Sequence, residues 1–274
     1  MKFSTALIST ALLTGTTLAA PLTAERAARH EARRQARATK VRHGNPPFLP
    51  DTQSVIDLSN NETVHEQYSQ NWAGAVLIGT GYTAVTGQFT VPTPKAPSGS
   101  SSGDYAASAW VGIDGDTWSK AILQTGVDFT VTNGEASFSA WYEWYPDYAY
   151  DFTGIDISAG DEIKVTVEAT STSAGTATVE NVSSGQKVSH SFSGETSGEL
   201  GELNAEWIVE DFQEGSSLVD LANFGTVTFT GAQATSGGSS VGPSGATILD
   251  IKQSGTVYTS SSVTDDTVVV AYQG

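Results

Sequence analysis

The chain lacks several residue types on which whole classes of protein depend. Its 274 residues include no cysteine and only one methionine. A disulfide framework and a cysteine-bound metal site are therefore excluded, and a large hydrophobic core must stabilise the fold. Residues 66–274 contain no arginine, and their five lysines face 25 aspartates and glutamates. So acidic a region can hardly neutralise phosphates or anionic lipids, and we expect neither nucleic acid nor a membrane among its partners.

Apolar runs of membrane-spanning length are also missing, and the most hydrophobic segment is the N-terminus. Residues 1–20 combine an early lysine, a short apolar run and small residues at the end, which is typical of a secretory signal peptide. Residues 21–65 then carry seven basic and five acidic side chains. We interpret this segment as a basic propeptide of the acidic domain 66–274; the alternative is a disordered linker. The sequence predicts a secreted zymogen in which the propeptide is released as carboxylates protonate below about pH 4–5.

From residue 68 onward the hydrophobic pattern is that of β-strands. Only residues 21–44, rich in alanine and arginine, favour a helix, and the prolines in 45–50 end it. Many short strands separated by glycine, serine and asparagine turns predict an antiparallel β-sandwich formed by one domain. The candidate strands are 72–78, 82–91, 105–111, 121–131, 137–145, 162–170, 176–180, 187–192, 205–209, 226–229, 246–251, 257–259 and 267–272.

Several motif matches are better explained as turns. The glycine fingerprint at 79–84 is followed by another strand rather than the helix that a dinucleotide site needs. Two G-x-S-x-G matches, 99–103 and 238–242, lie in serine–glycine loops and do not join a strand to a helix. Apart from His65, His190 is the only histidine available as a base, so we do not expect a serine–histidine hydrolase. With no cysteine and no paired histidines, we expect no metal site, and no motif indicates a cofactor. The chain also lacks the Asp-Thr-Gly or Asp-Ser-Gly motif that a pepsin-type aspartic peptidase needs. Sequons for N-glycosylation occur at Asn61 and Asn181.

Strand alternation places chemically versatile residues on common faces. In "AILQTGVDF", Gln124 and Asp128 share one face, while Leu123 and Phe129 share the other. In "NAEWIVEDF", Asn204, Glu206, Ile208 and Glu210 lie opposite Ala205, Trp207 and Val209. Alternation alone leaves two interpretations open, because such a polar face is either solvated or part of a cleft.

Three kinds of protein fit these features. A β-sandwich glycosidase would use two carboxylates, for example Glu143 and Glu206, beside aromatic side chains that stack on sugars. A carbohydrate-binding module would use the same aromatic residues without chemistry. A peptidase would explain the basic, cleavable prosegment that the first two classes do not require.

Four strings favour the third class. "SQNWAGAVLIGTGYTAVTGQFTVP", "ASAWVGIDGDTWSKAILQTGVDF", "AWYEWYPDYAYDF" and "NAEWIVEDF" together resemble the fungal glutamic peptidases, or eqolisins. The resemblance runs from about residue 66 to the C-terminus. It implies a secreted, acid-active, pepstatin-insensitive endopeptidase, built as a sandwich of two large antiparallel sheets of the concanavalin-like jelly-roll type and made as a zymogen. Protein and peptide substrates, the propeptide as an intramolecular inhibitor and a monomeric state are implied with it.

The resemblance also assigns site residues. The family's catalytic pair is one glutamine and one glutamate, which correspond to Gln124 and Glu206. Trp72, Trp110, Asp114 and Asp128 match positions around this pair and the substrate cleft. Asp114 or Asp128 is a candidate for orienting the amide of Gln124. Related chains carry cysteines where this one has Trp118 and Thr130, so the family's disulfide is absent here.

Overall fold

The computed structural model describes residues 42–51, 66–100 and 103–274, in which every regular element is a β-strand. All of these residues belong to one compact unit. In chain order the strands are β1 Arg42–Gly44, β2 Glu66–Ser69, β3 Trp72–Ile78, β4 Tyr82–Thr90, β5 Asp104–Ile113, β6 Ile122–Thr132, β7 Glu135–Tyr145, β8 Tyr150–Asp151, β9 Glu162–Ser171, β10 Ala174–Asn181, β11 Gln186–Ser193, β12 Asn204–Glu210, β13 Gln213–Glu214, β14 Ser217–Leu218, β15 Asp220–Leu221, β16 Thr226–Ser236, β17 Ser239–Val241, β18 Thr247–Gln253, β19 Thr256–Val257, β20 Thr259–Val263 and β21 Val268–Tyr272.

Two large sheets form the sandwich. The ten-stranded sheet has the order β19-β18-β3-β12-β5-β6-β7-β8, with β15 beside β5 and β2 beside β18. The eight-stranded sheet has the order β11-β10-β9-β4-β16-β21-β20, with β17 beside β16. A small third sheet joins β1, β13 and β14. Neighbouring strands in both large sheets are antiparallel, except that β15 and β2 run parallel to their partners. The predicted antiparallel sandwich is confirmed.

The main core lies between the two sheets and uses the face that strand alternation assigned to it. Leu123, Phe129 and Trp207 of the ten-stranded sheet are fully buried in the same cluster as Val165 and Phe229 of the eight-stranded sheet. Trp207 also donates from Nε1 to the backbone oxygen of Thr86 at 2.8 Å. This bond satisfies a buried indole N–H and ties β12 to the opposite sheet. The neighbour of Trp207 in sequence, Glu206, therefore stands on a strand that is anchored from its other face.

The structure decides one question that the sequence left open and corrects one expectation. The polar face of the ten-stranded sheet is buried and not solvated, and its Trp72, Trp110, Trp141 and Ile208 belong to a second buried cluster. The helix expected over residues 21–44 does not extend to its end, since Arg42–Gly44 forms β1 against β13. The rest of that expected helix, the signal peptide and Asn61 lie outside the described residues.

Candidate active site

Four adjacent strands of the ten-stranded sheet each contribute one residue to a row on the face turned away from the main core. Glu206 of β12 pairs with Gly112 of β5, Gly112 with Gln124 of β6, and Gln124 with Glu143 of β7. The side chains of Glu206, Gln124 and Glu143 are fully buried. Because neighbouring strands lie about 4.8 Å apart, Gln124 and Glu206 stand about 10 Å apart at the backbone with only a glycine between them.

Gly112 provides the space between these two side chains. A Cβ at this position would lie 2.7 Å from Oε1 of Glu206 and 2.8 Å from the ring of Trp110. It would also lie 3.4 Å from Cβ of Gln124. The glycine is therefore required for close approach, and it leaves Glu206 and Gln124 facing a common space.

Glu206 is a buried carboxyl group without hydrogen bonds to the described residues. Neither of its oxygens has a hydrogen-bond partner among the described residues, and both are inaccessible to solvent. Burial raises the pKa of Glu206 well above its ordinary value, and the negative charges of Asp114 and Asp116 raise it further. A buried, unsatisfied carboxyl group destabilises the fold, so its presence favours a functional role over a structural one.

Tryptophans form the next row on the same face. Trp110 pairs with Ile208 on one side and Gly126 on the other, and Gly126 pairs with Trp141. The Trp72 ring meets that of Trp110 edge to face, with 5.0 Å between ring centres. Trp72 and Trp110, both expected at the cleft, thus form part of one aromatic wall.

Glu210 is another buried carboxyl group on this face. It accepts from Nε1 of Trp110 at 2.9 Å and from Nδ2 of Asn71 at 3.2 Å. Burial raises its pKa well above the ordinary value, the charge of Glu143 raises it further, and hydrogen bonds from Trp110, Asn71 and Trp72 act in the opposite direction. Glu210 therefore fixes the orientation of the indole of Trp110 beside the Glu206 row.

Asp128 and Asp114 occupy positions that differ from the orienting role considered for them. Asp128 lies four residues from Gln124 on β6, which is about 13 Å along a strand and beyond reach of the amide. Its Oδ1 accepts from Ser108 Oγ at 2.7 Å, and Ser108 Oγ accepts from Nε1 of Trp141 at 3.0 Å. Asp128 therefore supports Trp141, and the proposed bond from Asp128 to Gln124 is wrong for geometric reasons.

Asp114 binds the backbone that leads into β12. Its Oδ2 accepts from the N–H groups of Gly201 at 2.7 Å and Glu202 at 3.0 Å, and its Oδ1 accepts from Leu203 at 2.7 Å and Asn204 at 3.3 Å. Both oxygens are thus engaged by one loop, which leaves none for the amide of Gln124. Burial raises the pKa of Asp114, and the four N–H donors act in the opposite direction. Asp114 positions the strand that carries Glu206.

Residues 42–51, named the cleft segment below, lie across this site. Nε2 of Gln124 donates to the backbone oxygen of Asn45 at 3.0 Å. The backbone N–H of Asn45 donates to Glu143, 2.9 Å from Oε2. Because a carbonyl oxygen only accepts, the contact with Asn45 determines that the amide nitrogen of Gln124, and not its oxygen, points into the cleft.

The second half of the cleft segment is bound mainly through its backbone. The oxygen of Pro46 accepts from Nε1 of Trp72 at 3.2 Å and from Nδ2 of Asn71 at 3.3 Å. Oδ1 of Asn71 accepts from the N–H of Leu49 at 3.0 Å, and Phe48 N–H donates to the oxygen of Gly115 at 3.1 Å. The site therefore binds an extended chain through hydrogen bonds to its backbone on both sides of Gln124.

Glu143, Glu210 and Asn71 are site residues that sequence reasoning did not assign to the peptidase cleft. Glu143 was considered only for a glycosidase, and Glu210 only as a neighbour of Glu206 on one face. Two signals were present in the sequence, since Asn71 directly precedes Trp72 and Glu210 follows Glu206 by four residues of one strand. The role of Glu143 depends on the pairing of β6 with β7, which alternation within one strand does not reveal.

The other singled-out residues lie away from this site. His190 is on β11 of the eight-stranded sheet, where its ring stacks on Tyr142 with centroids 4.0 Å apart. Asn181 is 1% exposed, and its Nδ2 donates to the oxygen of Asp156 and to Oδ2 of Asp161, both at 2.9 Å. This buried and bonded amide nitrogen is poorly placed to carry a glycan.

Residues 42–51, 66–100 and 103–274 include no group of three or more histidine, aspartate or glutamate side chains arranged to hold a metal ion. Within the same ranges there is no helix with the length and hydropathy needed to cross a membrane.

The two-sheet sandwich and the buried row of Glu206, Gly112 and Gln124 agree with the class that the sequence resembles, the glutamic peptidases. Residues 70–272 match the Peptidase A4 family, and the chain belongs to this family of glutamic peptidases. It is 58% identical to Aspergillopepsin-2 of Aspergillus niger, covering 99% of this chain and all of that protein. It is 42% identical to Scytalidopepsin B of Scytalidium lignicola, covering 99% of this chain and all of that protein. The predicted family membership is confirmed.

Solved structures agree with this assignment. Scytalido-glutamic peptidase with a transition state analog inhibitor matches with a TM-score of 0.69 and 45% identity, over 74% of this chain and 98% of that one. Aspergilloglutamic peptidase from Aspergillus niger matches with a TM-score of 0.61 and 66% identity, over 62% of this chain and 99% of that one. The glycosidase and carbohydrate-binding interpretations are therefore not retained.

Proposed function

We propose that the protein is a secreted endopeptidase, made as a zymogen, that hydrolyses peptide bonds in acid with Glu206 and Gln124 as its catalytic pair. The supporting observation is the 3.0 Å contact between Nε2 of Gln124 and a backbone carbonyl oxygen, in the row that also holds buried Glu206. A side chain that binds this carbonyl is suited to bind the carbonyl of a substrate. No cofactor enters the proposed reaction.

The proposed mechanism is general acid–base catalysis without a covalent intermediate. Ionised Glu206 takes a proton from a water molecule, whose oxygen attacks the carbonyl carbon of the substrate. Negative charge develops on the carbonyl oxygen, and the amide N–H of Gln124 stabilises it. Glu206 then gives the proton to the amide nitrogen as the carbon–nitrogen bond breaks, which releases an acid and an amine. Glutamine suits this role because its N–H groups remain donors at every pH.

Acid activity follows from the ionisation of Glu206 once the cleft is open. With the cleft segment in place, burial is the largest cause of the raised pKa of Glu206. Release of that segment admits water to the carboxyl group and so lowers its pKa from the value that burial imposes. A glutamate that ionises more readily in this way can act as a base in acid and can also return its proton to the leaving amine.

The zymogen part of the proposal rests on charge and on the position of the cleft segment. Residues 66–274 have a formal net charge of −20, whereas residues 21–65 have a net charge of +2. Protonation of the acidic domain below about pH 4–5 weakens the attraction between them. Because the cleft segment covers Gln124 and Glu143, its removal would open the site. We expect a mature N-terminus near residues 65–68.

Acid digestion of a denatured protein tests the proposal. Wild type, Glu206→Gln and Gln124→Ala are acidified and assayed with pepstatin, an inhibitor of paired-aspartate peptidases, and with xylan as a second substrate. We expect pepstatin-resistant proteolysis by wild type, no sugar release, and loss of proteolysis in both variants with their thermal denaturation preserved. Full proteolytic activity in either variant would remove that residue from the catalytic pair.

A further inference from the structure

The peptide bond between Asn45 and Pro46 lies where the bond to be cut in a substrate would lie. The oxygen of Asn45 accepts from Nε2 of Gln124 at 3.0 Å, and its N–H donates to Glu143 at 2.9 Å. Glu206 lies in the same row, with its carboxyl group facing the space beside Gly112. If Gln124 supplies the oxyanion donor, the carbonyl that it holds is the one presented for attack.

We propose that the cleft segment inhibits the enzyme by binding in the cleft as a substrate does, and that Pro46 protects the Asn45–Pro46 bond from hydrolysis. Pro46 supplies the nitrogen that would leave as the amine. The inference rests on the proposed function of Gln124 and Glu206, and adds the position of the bond and the reason that it survives. The segment is then a substrate-like inhibitor that remains intact while it covers the site.

Contacts on both sides of the bond support this register. Before the bond, Arg42 and Gly44 pair with Glu214 and Gln213 in the β1–β13 ladder. After the bond, the oxygen of Pro46 accepts from Nε1 of Trp72 and from Nδ2 of Asn71. Three residues further on, the N–H of Leu49 donates to Oδ1 of the same Asn71 side chain. Each of these contacts is made by the backbone of the segment, as expected for a site that accepts many sequences.

Pro46 resists hydrolysis because its nitrogen is a tertiary amide nitrogen. Cleavage requires this nitrogen to become pyramidal and accept the proton that Glu206 took from water, while the bond from the Asn45 carbon breaks. In proline the ring carbon Cδ occupies the position that N–H has in other residues, and it restricts rotation and access at the nitrogen. Pro47 restricts Pro46 to extended conformations as well, so the bound shape loses little entropy.

Gly44 allows the segment to approach the site closely. Its φ is +100°, and a Cβ at this position would lie 2.3 Å from Oε1 of Glu143. At this φ any L side chain is strained, and its Cβ would displace the Glu143 carboxylate that accepts from the Asn45 N–H. Binding of the segment is thus sensitive to one methyl group at position 44, independently of proline chemistry.

The full-length chain provides the direct experiment. Wild type, Pro46→Ala, Pro47→Ala and the double variant Pro46→Ala/Glu206→Gln are purified at neutral pH, acidified, and followed by intact mass and N-terminal sequencing. We expect only Pro46→Ala to gain a new N-terminus at position 46, at a rate independent of protein concentration. Pro47→Ala is the matched control, since it removes a neighbouring proline and leaves the Asn45–Pro46 bond tertiary. Glu206→Gln in the double variant excludes cleavage by another peptidase.

The outcomes separate this inference from the proposed function. If acid-matured wild type digests protein but Pro46→Ala remains uncut between positions 45 and 46, the inferred register is wrong and the proposed function stands. The inference is equally wrong if wild type is cut at this bond as fast as Pro46→Ala. If wild type digests no protein under any condition, both are overturned.

Synthetic peptides provide a second measurement that does not depend on folding of a variant. The peptide RHGNPPFLPD, residues 42–51, is added to the acid-matured enzyme beside forms that carry Pro46→Ala or Gly44→Ala. We expect the parent peptide to inhibit competitively and be recovered intact, and the Pro46→Ala peptide to be cut after asparagine. The Gly44→Ala peptide is expected to inhibit at least about tenfold more weakly. Equal inhibition by the parent and Gly44→Ala peptides, or recovery of an intact Pro46→Ala peptide, would contradict the proposal.

Discussion

Oε1 of Glu206 lies 2.7 Å from the point that a Cβ on Gly112 would occupy, so any side chain at position 112 would displace the proposed base. The same Cβ would lie 2.8 Å from the Trp110 ring. Two side chains of the cleft therefore depend on the absence of one methyl group.

Gly112→Ala is expected to reduce kcat/KM by up to about a hundredfold, because the new Cβ displaces Glu206 and the Trp110 ring, and a misplacement of about 1 Å costs roughly that factor. Kinetics on a peptide substrate after acid maturation measure the loss. Thermal denaturation of the same sample separates a displaced base from an unfolded chain. A folded variant with wild-type kcat/KM would show that Glu206 does not need this space.

Gln124→Glu tests whether an N–H donor is required at this position. Below the pKa of the new carboxyl group, its O–H replaces the lost N–H donor; above it, an anion faces the carbonyl oxygen and repels it. We therefore expect the variant to keep partial activity in strong acid and to lose it as the pH rises. The loss is expected at a lower pH than the loss of activity in wild type. A pH profile of kcat/KM for both proteins checks this. Parallel profiles for the two proteins would contradict a donor role for Gln124.

Asp114→Asn is expected to lower stability by about 2–5 kcal/mol, because the amide offers one oxygen where four backbone N–H groups now share two. The φ of Asp114 is +73°, a conformation that asparagine also tolerates, so the backbone itself is not strained by the change. Urea denaturation measures the loss. A loss below about 1 kcal/mol would indicate that water replaces the carboxylate easily.

Asp211 is expected to make the protein more stable in acid than at neutral pH. Burial raises its pKa to about 8, a hydrogen bond from Gln253 acts in the opposite direction, and the charge of Asp220 raises it slightly. Between about pH 4 and 8 the unfolded chain binds fewer protons than the folded one at this site, so stability is full below pH 4 and falls as pH rises toward 8. The loss amounts to roughly 6 kcal/mol at most.

Urea denaturation at pH 4, 6 and 8 compares wild type with Asp211→Asn, which stays neutral at every pH. The variant is expected to lose less stability over this range. Asp104→Asn, at an exposed position, is the matched control and is expected to follow wild type. Identical pH dependence in wild type and Asp211→Asn would show that Asp211 is ionised in the folded protein at pH 4.

Asn181 is expected to remain unmodified although it begins an N-glycosylation sequon. Its Nδ2 is buried and donates to Asp156 and Asp161, so a glycan on this atom would break two hydrogen bonds and require space that the fold does not provide. Peptide mapping by mass spectrometry of protein from a glycosylating host tests this. A glycan found on Asn181 in active, folded protein would contradict the described loop.

The sequence predicted which face of each strand a residue occupies, but not what covers that face. Alternation correctly assigned Leu123 and Trp207 to the core and Gln124 and Glu206 to the opposite face, because side chains on a strand alternate regardless of its neighbours. It did not separate a solvated face from a buried cleft. That distinction depends on which strands become neighbours, and the pairing of β6 with β7, which brings Glu143 beside Gln124, joins positions 19 residues apart.

The sequence by itself determined the sandwich, the faces of its strands and the family, since hydrophobic period and long matching strings are local properties of the chain. The tertiary structure alone decided that Asp114 and Asp128 position other groups, that the amide nitrogen of Gln124 points into the cleft, and that Asn45–Pro46 lies against it. These are contacts between residues about 20 to 90 positions apart. They depend on strand register and side-chain direction, which no local pattern encodes.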